Sequence, residues 1–306
     1  MEFLDQIRSF PEQIMSRNFF HIDRDFNNIV ISGMGGSGIV GRIFSELYGM
    51  CPVQVVSDYE IPHYVNAKTL FIAISYSGNT EETLATVKQA REKGAQIKVI
   101  TSGGELSKLG YETVKVPSGM QPRNALGYML SPLLNSLMKI EQSEIDGAHE
   151  VLQTIERESS KLKQMAEEIC SVGLVPWIVG YEPYVSTAYR WKTQFNENGK
   201  ILAINSTIPE LNHNETMPLK LSYGRERFYF ISLGNPSLER TGKRLRITSD
   251  LTGIKFNNVK EYGSTMLQKV LSMIHSGDYI SYYVAKIRGL DPMDVSLIEE
   301  LKSRLS

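Results

Sequence analysis

The sequence predicts an α/β protein built on doubly wound, mostly parallel sheets, with one such domain laid out twice along the chain. Three observations predict it. Short, almost wholly apolar runs at residues 28–32, 70–74 and 96–101 have the pattern of strands buried on both faces. Each run breaks into glycines and hydroxyl residues, and the first two lead directly into stretches with helical periodicity. The theme then returns: Phe228-Tyr229-Phe230-Ile231-Ser232-Leu233-Gly234 echoes the unit around Phe71, roughly 150 residues away.

Residues 5–15 read as a leading amphipathic helix, and residues 28–32 as the first buried strand. Gly33-Met34-Gly35-Gly36-Ser37-Gly38 opens a helix through Leu47, and residues 53–57 form a second strand that ends at Asp58. The third strand, at 70–74, feeds Ser75-Tyr76-Ser77-Gly78-Asn79-Thr80 and a helix over 84–93. A fourth strand at 96–101 runs into Ser102-Gly103-Gly104, and a fifth at 113–116 closes at Pro117. Residues 125–140 form an apolar helix with a kink expected at Pro132, whose ring lacks the N–H that the helix needs. Val151, Leu152, Ile155, Leu162, Met165 and Ile169 mark one long helix over 150–169, expected to cross between domains. In the second half, residues 174–179 are a strand, 180–183 a turn, 185–194 a helix, 228–233 a strand and 238–244 a helix. The domains expected are 1–148 and 149–306.

With 42% apolar and 22% charged residues and a net charge of −1, the composition is globular and points to neither nucleic acid nor an anionic membrane. Cys51 and Cys170 are too few for a disulfide framework, as suits a reducing compartment. No apolar run approaches membrane length, and the acidic start Met1-Glu2-Phe3-Leu4-Asp5 is unlike a signal peptide. The expectation is a soluble cytoplasmic protein.

Strand, hydroxyl-rich loop and helix start make an anion site, because unpaired N–H groups and side-chain hydroxyls converge there. A plain N-cap by Asn79 or Thr80 is the simpler reading, but a cap needs one such side chain and this loop supplies four. A phosphate-sized ligand is therefore expected here. A rival signal lies beside it. Gly33-x-Gly35-x-x-Gly38, with Asp58 twenty residues on, is the dinucleotide fingerprint and predicts an NAD(P)-dependent oxidoreductase. Against it, Ser37 and the Ser75–Thr80 hydroxyls make a compact pocket for one phosphate. Glycines serving helix–strand packing alone are a third reading. The second copy of the loop has lost most of its hydroxyls, so the anion site is expected only in the first.

The densest polar cluster is Arg190 to Lys200, containing Asn196-Glu197-Asn198, with Asn212-His213-Asn214-Glu215 close behind. Single titratable groups among amides suit proton transfer. For Glu197 alone a solvated helix end is the simpler reading, since Asn198-Gly199 is a stop signal. Glu197 and His213 together point to function. No metal-ligand spacing and no Gly-x-Ser-x-Gly occurs, so neither a metal site nor a serine triad is expected. Arg123, held between Pro122 and an apolar helix, either faces a developing negative charge or pairs with a nearby carboxylate.

These motifs, with Pro122-Arg123-x-Ala125-Leu126-Gly127 and Pro209-Glu210-x-Asn212-His213-Asn214-Glu215, resemble the sugar isomerase (SIS) domain family. The Asn-Glu-Asn and Asn-His-Asn-Glu pair narrows the likeness to the bifunctional phosphoglucose/phosphomannose isomerases, and coverage is nearly end to end. The resemblance implies two SIS domains, each a three-layer αβα sandwich, in a homodimer with shared active sites. It implies that glucose 6-phosphate, and mannose 6-phosphate, are interconverted with fructose 6-phosphate through a cis-enediol, with neither metal nor cofactor. Gly35, Gly36, Ser37, Ser75, Ser77 and Thr80 would hold the substrate phosphate. Glu197 would be the base, Arg123 would steady the enediolate, and His213, reaching in from the partner subunit, would help open the ring. Asp291-Pro292 and Leu301-Lys302 resemble the family's tail, which carries a ring-opening role to Lys302. After Asp291-Pro292 many relatives have Thr-Pro where this chain has Met293-Asp294, a departure that bears on acceptance of both epimers. A non-catalytic SIS sugar-phosphate sensor is the remaining alternative. It would need an effector module, for which the chain is expected to have no room, and would have no use for Glu197, His213 and Arg123.

Overall fold

The short apolar runs become the central strands of two parallel sheets in a computed structural model that describes residues 1–221 and 223–305. The chain divides into units Met1–Gln153 and Thr154–Ser306. The first contains α1 (Phe3–Arg8), α2 (Phe10–Ile14), β1 (Asn28–Ser32), α3 (Gly35–Leu47), β2 (Val53–Val56) and β3 (Thr69–Ile74). It continues with α4 (Glu81–Glu92), β4 (Gln96–Thr101), β5 (Glu112–Lys115), α5 (Leu126–Leu133) and the start of α6 (Gln142–Arg157). The second contains α7 (Ser159–Ser171), β6 (Val175–Gly180), α8 (Val185–Glu197), β7 (Ile204–Thr207), α9 (Leu211–Asn214) and α10 (Thr216–Leu221). After these come β8 (Phe228–Leu233), α11 (Glu239–Thr252), β9 (Asn257–Val259), α12 (Met266–Ile287) and α13 (Ser296–Leu305).

Sheet order is β2-β1-β3-β4-β5 in the first unit and β7-β6-β8-β9 in the second, with every pairing parallel. This is the predicted α/β class. Strands β3 and β4 are buried along their whole length, as a parallel sheet covered by helices requires. Val30, Phe71, Ala73, Val87 and Val99 form the core of one face. Lys98 stands in β4 at 2% side-chain exposure, and the register sets it opposite Glu112 of β5. Its ammonium meets Glu112 at 2.6 Å and Asp23 at 2.5 Å, which makes a cation tolerable there. Burial pushes the Glu112 carboxyl up, but hydrogen bonds from Lys98 and His21 outweigh it and hold it at about 2.

Among the helices that differ from expectation, three do so for local reasons. The leading helix breaks at Ser9, because Pro11 follows and cannot donate into the preceding turn; Ser9 Oγ instead donates to Gln6 O. The stretch over 150–169 is two helices, α6 and α7, broken at Glu158, whose carboxylate accepts from Tyr262 Oη at 2.6 Å. Ser159 and Ser160 follow, and serines favour helix starts over helix interiors. Beyond Pro132, α5 widens into a π-turn over Leu134–Met138 and ends at Lys139 in the left-handed region (φ 51°). No helix among the described residues is long and apolar enough to cross a membrane.

The core of the second unit is built on α12, started by a capping box between Thr265 and Gln268. Within it His275 is fully buried, and burial, reinforced by the charge of Arg190, pushes its imidazole down to about 3. In the unfolded chain this group takes up a proton below its ordinary 6.5. Its contribution to stability is therefore complete above pH 6.5 and is lost as pH falls toward 3, by up to about 1.4 kcal/mol per pH unit. Thermal melts from pH 7 to 4 are expected to show a shallower decline for His275→Phe than for the parent. Parallel declines would remove this account.

Candidate active site

In the first unit the strand order reverses between β1 and β3, whose crossovers leave in opposite directions to β2 and β4. Ligands of open α/β sheets bind at such a point, outside the carboxyl ends of the strands. The loops that follow β1 and β3 are the two hydroxyl-rich segments of the sequence, and they meet here. The Tyr76 N–H donates to Ser37 Oγ at 3.3 Å, tying one loop to the other. Ser75 Oγ accepts from Gly78 N at 3.0 Å and shares a hydrogen bond with Thr80 Oγ1 at 2.8 Å. Thr80 stands at the N-cap of α4 but makes no side-chain cap bond, so its hydroxyl serves the loop and leaves the helix N–H groups open. Ser77 is exposed, with its Oγ accepting from Asn79 N at 3.3 Å. Glu81, just beyond, is exposed and accepts from Tyr59 Oη, so its charge lies outside the loop.

Arg123 belongs to the same cluster. It is 3% exposed, donates to Gln121 Oε1 at 3.0 Å and lies over the Phe3 ring, 5.5 Å from its centroid. A Cβ on Gly36 would sit 2.9 Å from Arg123 Cα, so the arginine's backbone packs directly against the start of α3. Tyr76 fastens this third segment: its hydroxyl donates to Pro117 O (2.8 Å) and accepts from Met120 N (3.0 Å). That role was hidden in the sequence, where Tyr76 is only the aromatic between two serines. The structure thus brings Gly36, Ser37, Ser75, Thr80 and Arg123 together, with Gly35 (φ 51°) at the open start of α3.

Two glycines of the dinucleotide fingerprint, Gly33 and Gly38, are required by packing whether or not a ligand binds. A Cβ on Gly33 would meet Ile74 O at 2.9 Å, and one on Gly38 would meet Gly33 O at 2.6 Å. Helix–strand packing accounts for both. Asp58, the supposed ribose acid, is exposed beyond the end of β2, and its Oδ1 accepts from Tyr59 N at 2.7 Å.

In the second unit Glu197 is the last residue of α8 and lines a cavity of about 480 Å³ with Leu290, Val295 and Ile298. The flanking amides secure backbone and helix packing: Asn196 Nδ2 donates to Ile201 O and Asn198 Nδ2 to Ser281 Oγ. Two cations cap the carbonyl end of α8, where the helix dipole favours positive charge. Lys200, in the left-handed region (φ 52°), donates from Nζ to Glu197 O and Asp294 O, and Arg288 donates to Gly199 O and Lys200 O. Asp294 of the departing Met293-Asp294 pair also accepts from Ser296 N at 3.0 Å, which holds its carboxyl below the usual range and starts α13. His213 on α9 and Lys302 on α13 are exposed, and neither lines this cavity.

The second unit has its own loop at the position of Ser75–Thr80, after β8. There the carboxylate of Glu261 accepts from the Asn235 N–H and from Asn235 Nδ2 (3.1 Å). The chain's own anion satisfies that loop.

Comparison with known proteins places these features. A family model described as "SIS domain" matches residues 24–141, and one described as "Bacterial phospho-glucose isomerase C-terminal SIS domain" matches residues 158–305. The bifunctional phosphoglucose/phosphomannose isomerase of Thermoplasma acidophilum is 46% identical over 306 residues, covering 100% of this chain and 98% of the relative. The protein of the same name from Thermoplasma volcanium is 46% identical over 306 residues, with 100% of each chain covered. Among solved structures, the C-terminal domain of glucosamine-fructose-6-phosphate aminotransferase from Francisella tularensis superposes with a TM-score of 0.73 at 17% identity, covering 94% of this chain and 96% of that one; it shares the fold. Both halves carry a matched domain and nearly half of all positions are shared end to end, so the chain belongs to the SIS-domain family, in the branch of the bifunctional phosphoglucose/phosphomannose isomerases.

Proposed function

We propose that the chain is an aldose–ketose isomerase that interconverts glucose 6-phosphate, and mannose 6-phosphate, with fructose 6-phosphate. The observation that carries this reading is the end-to-end identity of 46% to a relative that bears both activities in its name. The first domain, 1–148, supplies the phosphate loops: backbone N–H groups at Gly35 and Gly36 and the hydroxyls of Ser37, Ser75, Ser77 and Thr80 bind the phosphate by hydrogen bonds. That remote binding energy orients the reacting end of the sugar. The second domain, 149–306, supplies Glu197, whose carboxylate takes the proton from C2 of the open-chain aldose. Negative charge then develops on the C1 oxygen, and Arg123 stabilises it. A proton passes from O2 to O1 within the cis-enediol, and return of the carbon-bound proton from Glu197 to C1 completes the ketose. C2 is oxidised as C1 is reduced, so no external redox partner enters the balance. His213, supplied by the second subunit of a homodimer, and Lys302 open the sugar ring. Cys51 and Cys170 are free thiols, which supports a cytoplasmic setting.

The test is formation of glucose 6-phosphate and of mannose 6-phosphate from fructose 6-phosphate in metal-chelated buffer. Both products are expected. Glucose 6-phosphate alone would restrict the enzyme to one epimer and direct attention to Met293-Asp294. Formation of neither would overturn the reading.

A further inference from the structure

Helix α8 carries Glu197, and it also carries buried polar side chains that the mechanism above does not use. Arg190 and Gln194 on α8 and Asn198 at its C-cap recur every four residues and form one stripe. All three are essentially dry, at 1%, 1% and 0% exposure. Their partners lie on α12. Arg190 Nη2 donates to both carboxylate oxygens of Asp278 (2.8 and 2.9 Å), and Gln194 Nε2 donates to Asp278 Oδ1 at 2.7 Å. One turn further along, Asn198 Nδ2 donates to Ser281 Oγ at 3.0 Å. Just past this end a Cβ on Gly199 would come within 3.0 Å of Val284 Cγ1, so the Val284 side chain packs against the backbone that leaves α8.

We propose that Asp278, with Ser281 one turn beyond it, is a positioning residue for Glu197: the pair locks the rotation and register of α8 and so fixes where the catalytic carboxylate points. The inference rests on Glu197 being the base. The lever is short and steep. A helix with its side chains has a radius of about 5–6 Å, so a rotation of about 10° carries the carboxylate roughly 1 Å. A displacement of that size costs on the order of a hundredfold in rate. Apolar ridges alone tolerate slippage between neighbouring registers, whereas a carboxylate that accepts three directional bonds from two positions of the facing helix has one arrangement. The buried charge is therefore placed where angular precision matters. Arg190 lies two turns before Glu197, at nearly the same angle around the helix, so it reports rotation directly.

The experiment compares Asp278→Asn, Ser281→Ala and Glu197→Gln in the full-length enzyme. It measures kcat, KM and the primary isotope effect with 2-deuterated glucose 6-phosphate, and checks folding by circular dichroism and melting. Asp278→Asn is expected to lower kcat by about ten- to a hundredfold with KM within about twofold, and to raise the isotope effect as proton transfer becomes limiting. Ser281→Ala is expected to shift the same quantities in the same direction by several-fold. A merely structural role would lower the melting temperature and the active fraction while leaving the isotope effect unmoved. Folded variants with the parent's kcat and isotope effect overturn the proposal, and if Asp278→Asn fails to fold, Ser281→Ala decides by the same criteria. Full turnover by Glu197→Gln would remove the base assignment and this inference with it. Loss of turnover in Glu197→Gln beside an unaffected Asp278→Asn would overturn the positioning role alone.

Discussion

Glu197→Gln is expected to lower kcat by about a thousandfold, roughly 4 kcal/mol in transition-state stabilisation, with KM changed by no more than about threefold. The substitution keeps shape and removes proton affinity. The site around it is built to survive the change. Lys200 holds the Glu197 carbonyl and Asn198 holds Ser281, so the end of α8 is fastened by groups other than the carboxylate. Phosphate binding is assigned to other residues, so substrate affinity should persist while chemistry stops. Exchange of the C2 hydrogen of glucose 6-phosphate with deuterated solvent should vanish in parallel with net isomerisation. A variant within tenfold of the parent in kcat would assign the proton transfer to a different group.

Gly78→Ala is expected to disable the Ser75–Thr80 loop, proposed above to hold the substrate phosphate. Gly78 has φ of 71°, in the left-handed region, where a Cβ costs about 1–2 kcal/mol. Space is the larger problem, because that Cβ would stand 1.8 Å from the carbonyl oxygen of Gly103. Backbone meets backbone there, so relief requires the loop to move, at roughly a further 1–3 kcal/mol. The Gly78 N–H is bonded to Ser75 O and Oγ, and Ser75 in turn to Thr80, so displacement at Gly78 dismantles the hydroxyl cluster. KM for the sugar phosphate should rise at least about tenfold and more than kcat falls, since phosphate contacts act chiefly in binding. The melting temperature should drop by several degrees. Gly103→Ala is the matched control: its Cβ meets nothing within 4 Å and its φ is ordinary, so near-parent behaviour is expected. A Gly78→Ala enzyme with parental KM and melting temperature would show that this loop does not hold the phosphate.

Much of the site was legible in the chain. Residues 70–74 announce a strand buried on both faces, and the serines after them announce a loop that does more than cap a helix. The assembly of that loop was not legible. Ser37 and Tyr76 are joined across 39 residues, and Tyr76 reaches Pro117 across 41. Arg123 was readable as a held cation, but its place against Gly36 depends on which backbone approaches the start of α3. In the second half the sequence marked Glu197 as a titratable group among amides, but that Asn196 reaches Ile201 O and Asn198 reaches Ser281 Oγ on a neighbouring helix was not legible.

The division follows from the range of the forces involved. Burial on both faces of a strand, a helix start and a glycine turn are written in adjacent residues, because they depend on side-chain alternation and on backbone freedom at single positions. Residue order therefore sufficed for the α/β class, the βα units of the first half and the family motifs. Partner choice at long range leaves no such trace. Arg190 and Asp278 lie 88 residues apart, and either alone reads as a solvated charge on a helix. Only packing of α8 on α12 takes both out of water and obliges them to pair, and with that pairing the direction of Glu197 is set.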